Sequence, residues 1–356
     1  MDNTDTITSM REHGSVPAGR SDLLLDVRDL HTHFYMEQGT IRAVEGVSFS
    51  LARGESIGIV GESGCGKSVT ARSIMKLLPH DFARIVDGQI IWQLDDATRT
   101  DIAKLNPYGA QMRRIRGGEI AMIFQEPMTS LNPVYTIGEQ IVEAIVTHTE
   151  LDKDQARERA IEMLDKVKIP EPAQRFTEYQ HQFSGGMRQR AMIAMALACD
   201  PRLLIADEPT TALYVTIESQ ILALMQDLQD QYDTSMIMIS HDLNVVGEMV
   251  QNIIVMYLGH VVERTDVDHI FDEPKHPYTQ GLLRALPNIG RQERLVPIKG
   301  SVPNPYLVPS GCPFSTRCEF VHDRCLHENP PEFHLDDGTS AKCWLFEKEG
   351  EVRDDA

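Results

Sequence analysis

Apolar and polar positions change period several times along the chain, and each change marks an element. After a polar stretch over residues 1–22, which reads as a disordered tail, Leu24 to Leu30 and Ala43 to Leu51 alternate and predict two strands joined by a turn at Gln38-Gly39. Glu55 to Val60 reads as a short buried strand, and Ser68 to Leu78 then carries apolar residues at helical spacing. From about 100 to 180 the sequence is mostly helical. Asp154 to Val167 sets Ala160, Ile161, Leu164 and Val167 on one face, and Pro170 stops it. The Met and Ala residues of Ala191 to Leu197 recur at helical spacing and read as core packing. Leu203 to Ala206 and Met236 to Ile239 are continuous apolar runs, as expected of parallel strands buried on both faces. The order of strands and helices predicts an α/β protein.

The chemistry sits where these periods break. Between the strand ending at Val60 and the next helix lies Gly61-Glu62-Ser63-Gly64-Cys65-Gly66-Lys67-Ser68, which fits the phosphate-cradling pattern G-x-x-x-x-G-K-[ST]. Its glycines let successive N–H groups point at phosphate oxygens, and the helix that follows, from Ser68 and Val69, offers its positive end to the same anion. Lys67 neutralises terminal phosphates, and Ser68 supplies a hydroxyl to Mg²⁺. The run from Leu203 ends in Asp207 and Glu208, which places two carboxylates at the carboxyl edge of the sheet facing the nucleotide. Asp207 suits Mg²⁺, and Glu208 suits a general base acting on the attacking water. The run from Met236 delivers His241 to the same edge, within reach of the terminal phosphate. Ser184-Gly185-Gly186 opens a helix and forms a second anion-binding end. Phe34 and Tyr35, ahead of the first turn, are candidates to stack on a base.

Charge and composition narrow the partners. The balance of 34 basic against 53 acidic residues gives a formal charge of −19, which argues against broad nucleic-acid binding. No run approaches the length of a membrane span, and the first residues lack a signal-peptide apolar core, so a soluble, cytoplasmic chain is expected. Of six cysteines, four cluster late, at Cys312, Cys318, Cys325 and Cys343, with spacing C-x5-C-x6-C-x17-C. In a cytoplasmic chain such clustering suggests a metal site; an iron–sulfur cluster, zinc and no metal all remain open. Cys65 and Cys199 fall outside the group and are not expected to bind metal.

With these residues assembled, the chain resembles the nucleotide-binding subunits of ATP-binding cassette (ABC) transporters from about 23 to 265. Gly61 to Ser68 matches Walker A, Leu203 to Glu208 matches Walker B with its catalytic Glu, and Phe183 to Arg190 looks like the signature motif. Phe124-Gln125-Glu126-Pro127 matches the Q-loop, and His241 the switch histidine. The resemblance implies a P-loop cassette with a mixed sheet, an antiparallel β edge and a helical subdomain at about 100–200. It implies that Gln125 joins Ser68 and Asp207 at Mg²⁺, that Phe34 stacks on adenine with Tyr35 as the other choice, and that Ser184, Gly185 and Gly186 close over ATP held by a second cassette. Glu62 to Val69 would complete the nucleotide site, and residues 126–140 would dock a membrane subunit. One position departs from the pattern: Tyr214 stands where the family usually carries an interface Asp.

Residues 266–356 are expected to form a separate extension. Ile270 to Leu283 resembles the start of the one carried by dipeptide, oligopeptide and nickel importers, with His276 and Tyr278 read as a Pro-punctuated turn into a helix. That subfamily implies a four-iron four-sulfur cluster on the four late cysteines. The expected function is the ATPase subunit of a short-peptide importer, peripheral on the cytoplasmic face of the inner membrane. Its expected partners are a second, different cassette chain, two membrane permease subunits and an external peptide-binding protein, with no nucleic acid. The alternatives are a soluble cassette ATPase and a regulatory one that binds ATP without driving transport.

Overall fold

The computed structural model describes residues 22–94, 98–125, 130–211, 214–286, 297–348 and 351–352. The expected tail at 1–22 thus lies almost wholly outside the described residues, as do Glu126 and Pro127 of the Q-loop match and Ala212 and Leu213.

A nine-stranded mixed sheet runs in the order β13-β11-β12-β10-β9-β3-β8-β7-β6. Its strands are β3 (Ser56–Val60), β6 (Ile120–Ile123), β7 (Leu203–Asp207), β8 (Ser235–Ser240), β9 (Asn252–Tyr257), β10 (His260–Asp266), β11 (Phe333–His334), β12 (Ser340–Ala341) and β13 (Glu351–Val352). The five from β9 to β6 are mutually parallel, and β10, β12, β11 and β13 continue antiparallel, so residues beyond 266 extend the same sheet. The main sheet is thus mixed with an antiparallel edge, as expected, and the two strands predicted ahead of the glycine-rich loop stand apart from it. β1 (Leu23–Met36), β2 (Gly39–Ala52), β4 (Ala83–Gln93) and β5 (Arg99–Asp101) form their own four-stranded sheet, order β2-β1-β4-β5. Within the stretch expected to be mostly helical, Ile120–Ile123 is a strand of the main sheet, paired in parallel with β7.

β3, β7 and β8 are buried at every residue. Alternate side chains of one strand therefore enter different cores. Ile205, Ile237, Ile239 and Ile254 pack with the antiparallel sheet and helix α1 (Lys67–Ile74), whereas Leu204, Ala206, Met236, Met238 and Ile253 pack with the helices beyond residue 136. Those helices begin with explicit caps. α2 (Ile137–His148) carries a Thr136/Glu139 capping box and α3 (Lys153–Lys166) an Asp152/Gln155 box. On α3, Ala160 and Leu164 are buried with Ala156 and Met163, while Ile161 is only half-buried. The chain leaves this helix through Lys168 at φ 58°, two residues before Pro170. α4 (Gly185–Leu197) starts at Ser184, whose Oγ accepts from Met187 N, and α5 (Val215–Tyr232) follows Tyr214. Among the described residues no helix is long and apolar enough to cross a membrane.

Candidate functional site

β3 ends at Val60 and hands the chain to the glycine-rich loop, whose curl has steric causes. Gly61 has φ +151°, and a Cβ there would lie 2.2 Å from Met256 O; Gly66 has φ +105°, and a Cβ would lie 2.3 Å from Ala43 O. Neither position has room for a side chain. The loop is thereby pressed against β9 and β2 as it enters α1. Lys67 is 5% exposed, and its Nζ donates to Gly61 O at 2.7 Å and Glu62 O at 3.2 Å. Cys65 is buried with its sulfur 3.8 Å from that ammonium, and burial pushes its thiol pKa up.

β7 brings Asp207 under the same loop. Ser68 Oγ donates to Asp207 Oδ1 at 2.8 Å, while Oδ2 is buried without a hydrogen-bond partner. Burial raises the Asp207 pKa, and the Ser68 hydrogen bond opposes that shift. A buried carboxylate oxygen without a donor, beside a serine hydroxyl, fits a hard divalent cation, whose oxygen ligands these are. Glu208 follows at φ 49° and turns its carboxylate toward three other groups. Gln125 Nε2 donates to Oε2 at 2.9 Å, Thr211 Oγ1 donates to Oε2 at 2.8 Å, and His241 Nδ1 lies 3.5 Å from Oε1. Of the three expected Mg²⁺ ligands, Ser68 and Asp207 touch each other, and Gln125 instead bonds the Glu208 carboxylate.

Other expected residues lie apart from this centre. Phe34 rests against Phe82 with ring centroids 6.1 Å apart, and the adjoining Tyr35 is the exposed aromatic. Ser184 and Gly185 are exposed at the start of α4, and Tyr214 is 82% exposed. Val134 and Tyr135, within the expected docking stretch, are also exposed, while residues 126–129 lie outside the described residues.

Glu62 differs from its expected role. Its N–H donates to Tyr278 Oη at 2.8 Å, and its carboxylate takes Arg317 Nη1 at 2.6 Å and Nη2 at 3.1 Å. Both groups are therefore engaged by the residues beyond 266. The reading of 276–278 as a turn into a helix holds, since His276 Nδ1 accepts from Tyr278 N at the start of α8 (Pro277–Arg284). Tyr278 nevertheless has a second task that its local sequence did not signal. Arg317 stands beside Cys318 in the sequence, and nothing in its local pattern signals this contact.

Cys312, Cys318, Cys325 and Cys343 line one cavity with His276, Phe314 and Trp344. Cys312 N donates to Cys325 O at 2.8 Å, which ties two of the four positions through the backbone. Burial pushes the Cys312 thiol to about 11 and the Cys343 thiol to about 12. Among the described residues, only His31, His33 and Glu45 bring three potential ligand atoms within 4.8 Å of one another. There Glu45 takes a hydrogen bond from each histidine. No three of the four sulfurs are that close together.

Comparison with known proteins gives two family matches, "ABC transporter" over residues 44–211 and "Oligopeptide/dipeptide transporter, C-terminal region" over 262–325. The chain is 51% identical over 327 residues to the probable peptide ABC transporter ATP-binding protein y4tR of Sinorhizobium fredii, covering 91% of this chain and 96% of that one. It is 49% identical to the oligopeptide transport ATP-binding protein AppD of Bacillus subtilis, covering 92% and 98%. It is 48% identical to the dipeptide transport ATP-binding protein DppD of Escherichia coli, covering 90% and 96%. Among solved structures it is similar to the ATP-binding cassette MJ0796 in a dimeric post-hydrolysis state bound to ADP and phosphate. That likeness has TM-score 0.60 and 25% identity over 68% of this chain and 99% of the other.

Proposed function

The chain belongs to the ABC transporter ATP-binding subunits, in the oligopeptide/dipeptide branch, and from that premise we propose that it is the ATP-hydrolysing motor of a short-peptide importer. The observation that carries this reading is the convergence of Lys67, Ser68, Asp207, Gln125, Glu208 and His241 at one sheet edge. The nucleotide phosphates sit on the N–H groups of Ser63 to Val69, and Lys67 turns from the loop carbonyls to the terminal phosphates. Ser68 and Asp207 hold Mg²⁺, which supplies charge neutralisation at the phosphates. Glu208 orients and deprotonates the attacking water. Gln125 and His241, already against its carboxylate, report the terminal phosphate to it.

One chain holds half of each working site. Ser184 and Gly185 are exposed at a helix N-terminus, as they must be to cap ATP held by another cassette. Tyr214, at the start of α5, is exposed too, at the place where a different partner chain would supply the carboxylate this one lacks. The exposed Val134 and Tyr135 suit contact with a membrane subunit, which makes the chain a peripheral protein of the inner membrane. An external peptide-binding protein completes the system. Tyr35, being exposed, is better placed than Phe34 to meet adenine.

The four late cysteines hold an iron–sulfur cluster in this reading. The support is the single cavity that all four share, together with the backbone tie between Cys312 and Cys325. The cluster supplies a rigid four-point crosslink and an electron-accepting centre.

ATP turnover tests the motor reading. The purified chain alone is expected to be slow, and assembly with its partner cassette and membrane subunits raises the rate. Glu208→Gln in the assembly lowers it by about 10²–10⁴ while ATP still binds. An assembled complex that binds ATP yet never turns it over favours the regulatory alternative.

A further inference from the structure

Glu62 is the second residue of the phosphate loop, and the extension grips it from two directions. Arg317 makes a two-pronged ion pair with its carboxylate, at 2.6 and 3.1 Å, and Tyr278 Oη accepts its N–H at 2.8 Å. The Arg317 side chain is 3% exposed, so the charge is matched inside the protein. Its Nε donates to Lys299 O at 3.1 Å, and its guanidinium lies beside the Tyr257 and Phe314 rings, 5.7 and 5.9 Å from their centroids. Tyr257, Tyr278 and Phe314 pack on one another at 4.7 to 5.4 Å and leave the arginine little freedom to swing away.

The same short turn reaches the cysteine cavity. Cys312 and Cys318 stand at its ends, Ser315 N donates to Cys312 O at 3.0 Å, and Arg317 N donates to Phe314 O at 3.0 Å. Arg317 adjoins Cys318, and Phe314 lines the cysteine cavity while touching both tyrosines. Fixing the sulfurs therefore fixes the turn, and the turn fixes the loop's second residue.

We propose that the cysteine site regulates nucleotide binding: its ligation state sets the pose of Arg317, and Arg317 with Tyr278 holds Glu62 so that the loop N–H groups are aimed at phosphate before ATP arrives. Arg317 and Tyr278 are positioning residues. Loss of the ligated group loosens the turn, frees Glu62 and weakens ATP binding without touching Lys67, Asp207 or Glu208. The link from the sulfurs rests on the metal reading above, whereas the clamp itself rests only on Glu62, Tyr278 and Arg317.

The test is a pair of double-mutant cycles on the full chain, read as the dissociation constant for MgATP. Iron, acid-labile sulfide and zinc are measured on each preparation, and melting temperature serves as the folding control. Arg317→Gln is expected to weaken binding by about tenfold, the size of a lost charge-assisted contact. Glu62→Gln, which is isosteric and keeps the assay decisive should Arg317→Gln fold poorly, weakens it similarly, and the double variant is no worse than either. Cys318→Ser loses its metal and weakens ATP binding in the wild-type background but not in the Arg317→Gln background. MgATP affinity within about twofold of wild type for both Arg317→Gln and Glu62→Gln overturns the clamp. A Cys318→Ser chain that loses its metal yet keeps its ATP affinity overturns the regulatory link. A wild-type chain free of iron, sulfide and zinc overturns the metal reading and that link with it, while the first cycle decides the clamp independently.

Discussion

Asp207 and Glu208 are sequence neighbours in different surroundings, and that difference assigns their tasks. Asp207 is buried, bonded to Ser68 through one oxygen and unpartnered at the other, and burial raises its pKa. Glu208 turns away at φ 49° to meet Gln125, Thr211 and His241. Because the raised Asp207 carboxyl takes up its proton at a higher pH than an ordinary aspartate, metal binding must weaken earlier on acidification. Mg²⁺ titrations of the ATP-bound chain on stepwise acidification should show wild type losing more affinity than Asp207→Asn, whose loss comes from protonation of the ATP phosphates alone; equal losses in the two contradict the assignment. These residues were legible because each ends an apolar run or lies in a contiguous motif. The grip on Glu62 was not, since Tyr278 and Arg317 lie 216 and 255 residues further along the chain. No local pattern encodes a contact made only by folding.

At the scale of elements, periodicity predicted most of what forms. The strand-loop-helix around Gly61, the helix at Lys153–Lys166 and the buried strands β7 and β8 follow from spacing alone. Ile120–Ile123 escaped because a four-residue apolar run cannot be told from a helix segment until β7 pairs with it. The separate antiparallel sheet escaped for a related reason: alternation predicts strands, not which sheet they join. The turn into α8 carries a stability prediction. His276 is buried as a neutral acceptor for Tyr278 N, and burial pushes its pKa down to about 3. The unfolded chain takes up that proton near pH 6.5 and the folded chain does not, so stability present above pH 6.5 is lost as pH falls toward 3. Between pH 7 and 5 this residue costs about 2 kcal/mol, at about 1.4 kcal/mol per pH unit below 6.5. Denaturant unfolding should show wild type losing about that much more than His276→Asn, which keeps a cap without the titration. Equal losses contradict it.

At the scale of the molecule, the extension is part of the cassette's own sheet. β12 pairs with β10, and the glycine-rich loop is held between β9 and the turn bearing Arg317. The sequence places an extension after residue 265, but a boundary in composition says nothing about whether hydrogen bonding crosses it. Ser184, Gly185 and Tyr214 are exposed, which leaves them free for the proposed contact with another cassette. In the proposed function this assembly spends ATP to move short peptides. Its most direct test is uptake of labelled di- to pentapeptides by vesicles carrying the reconstituted importer, with ATP on the side of this chain and the peptide-binding protein on the other. Accumulation is expected to require ATP and to vanish with Glu208→Gln in this chain. Uptake that persists undiminished with that substitution contradicts it.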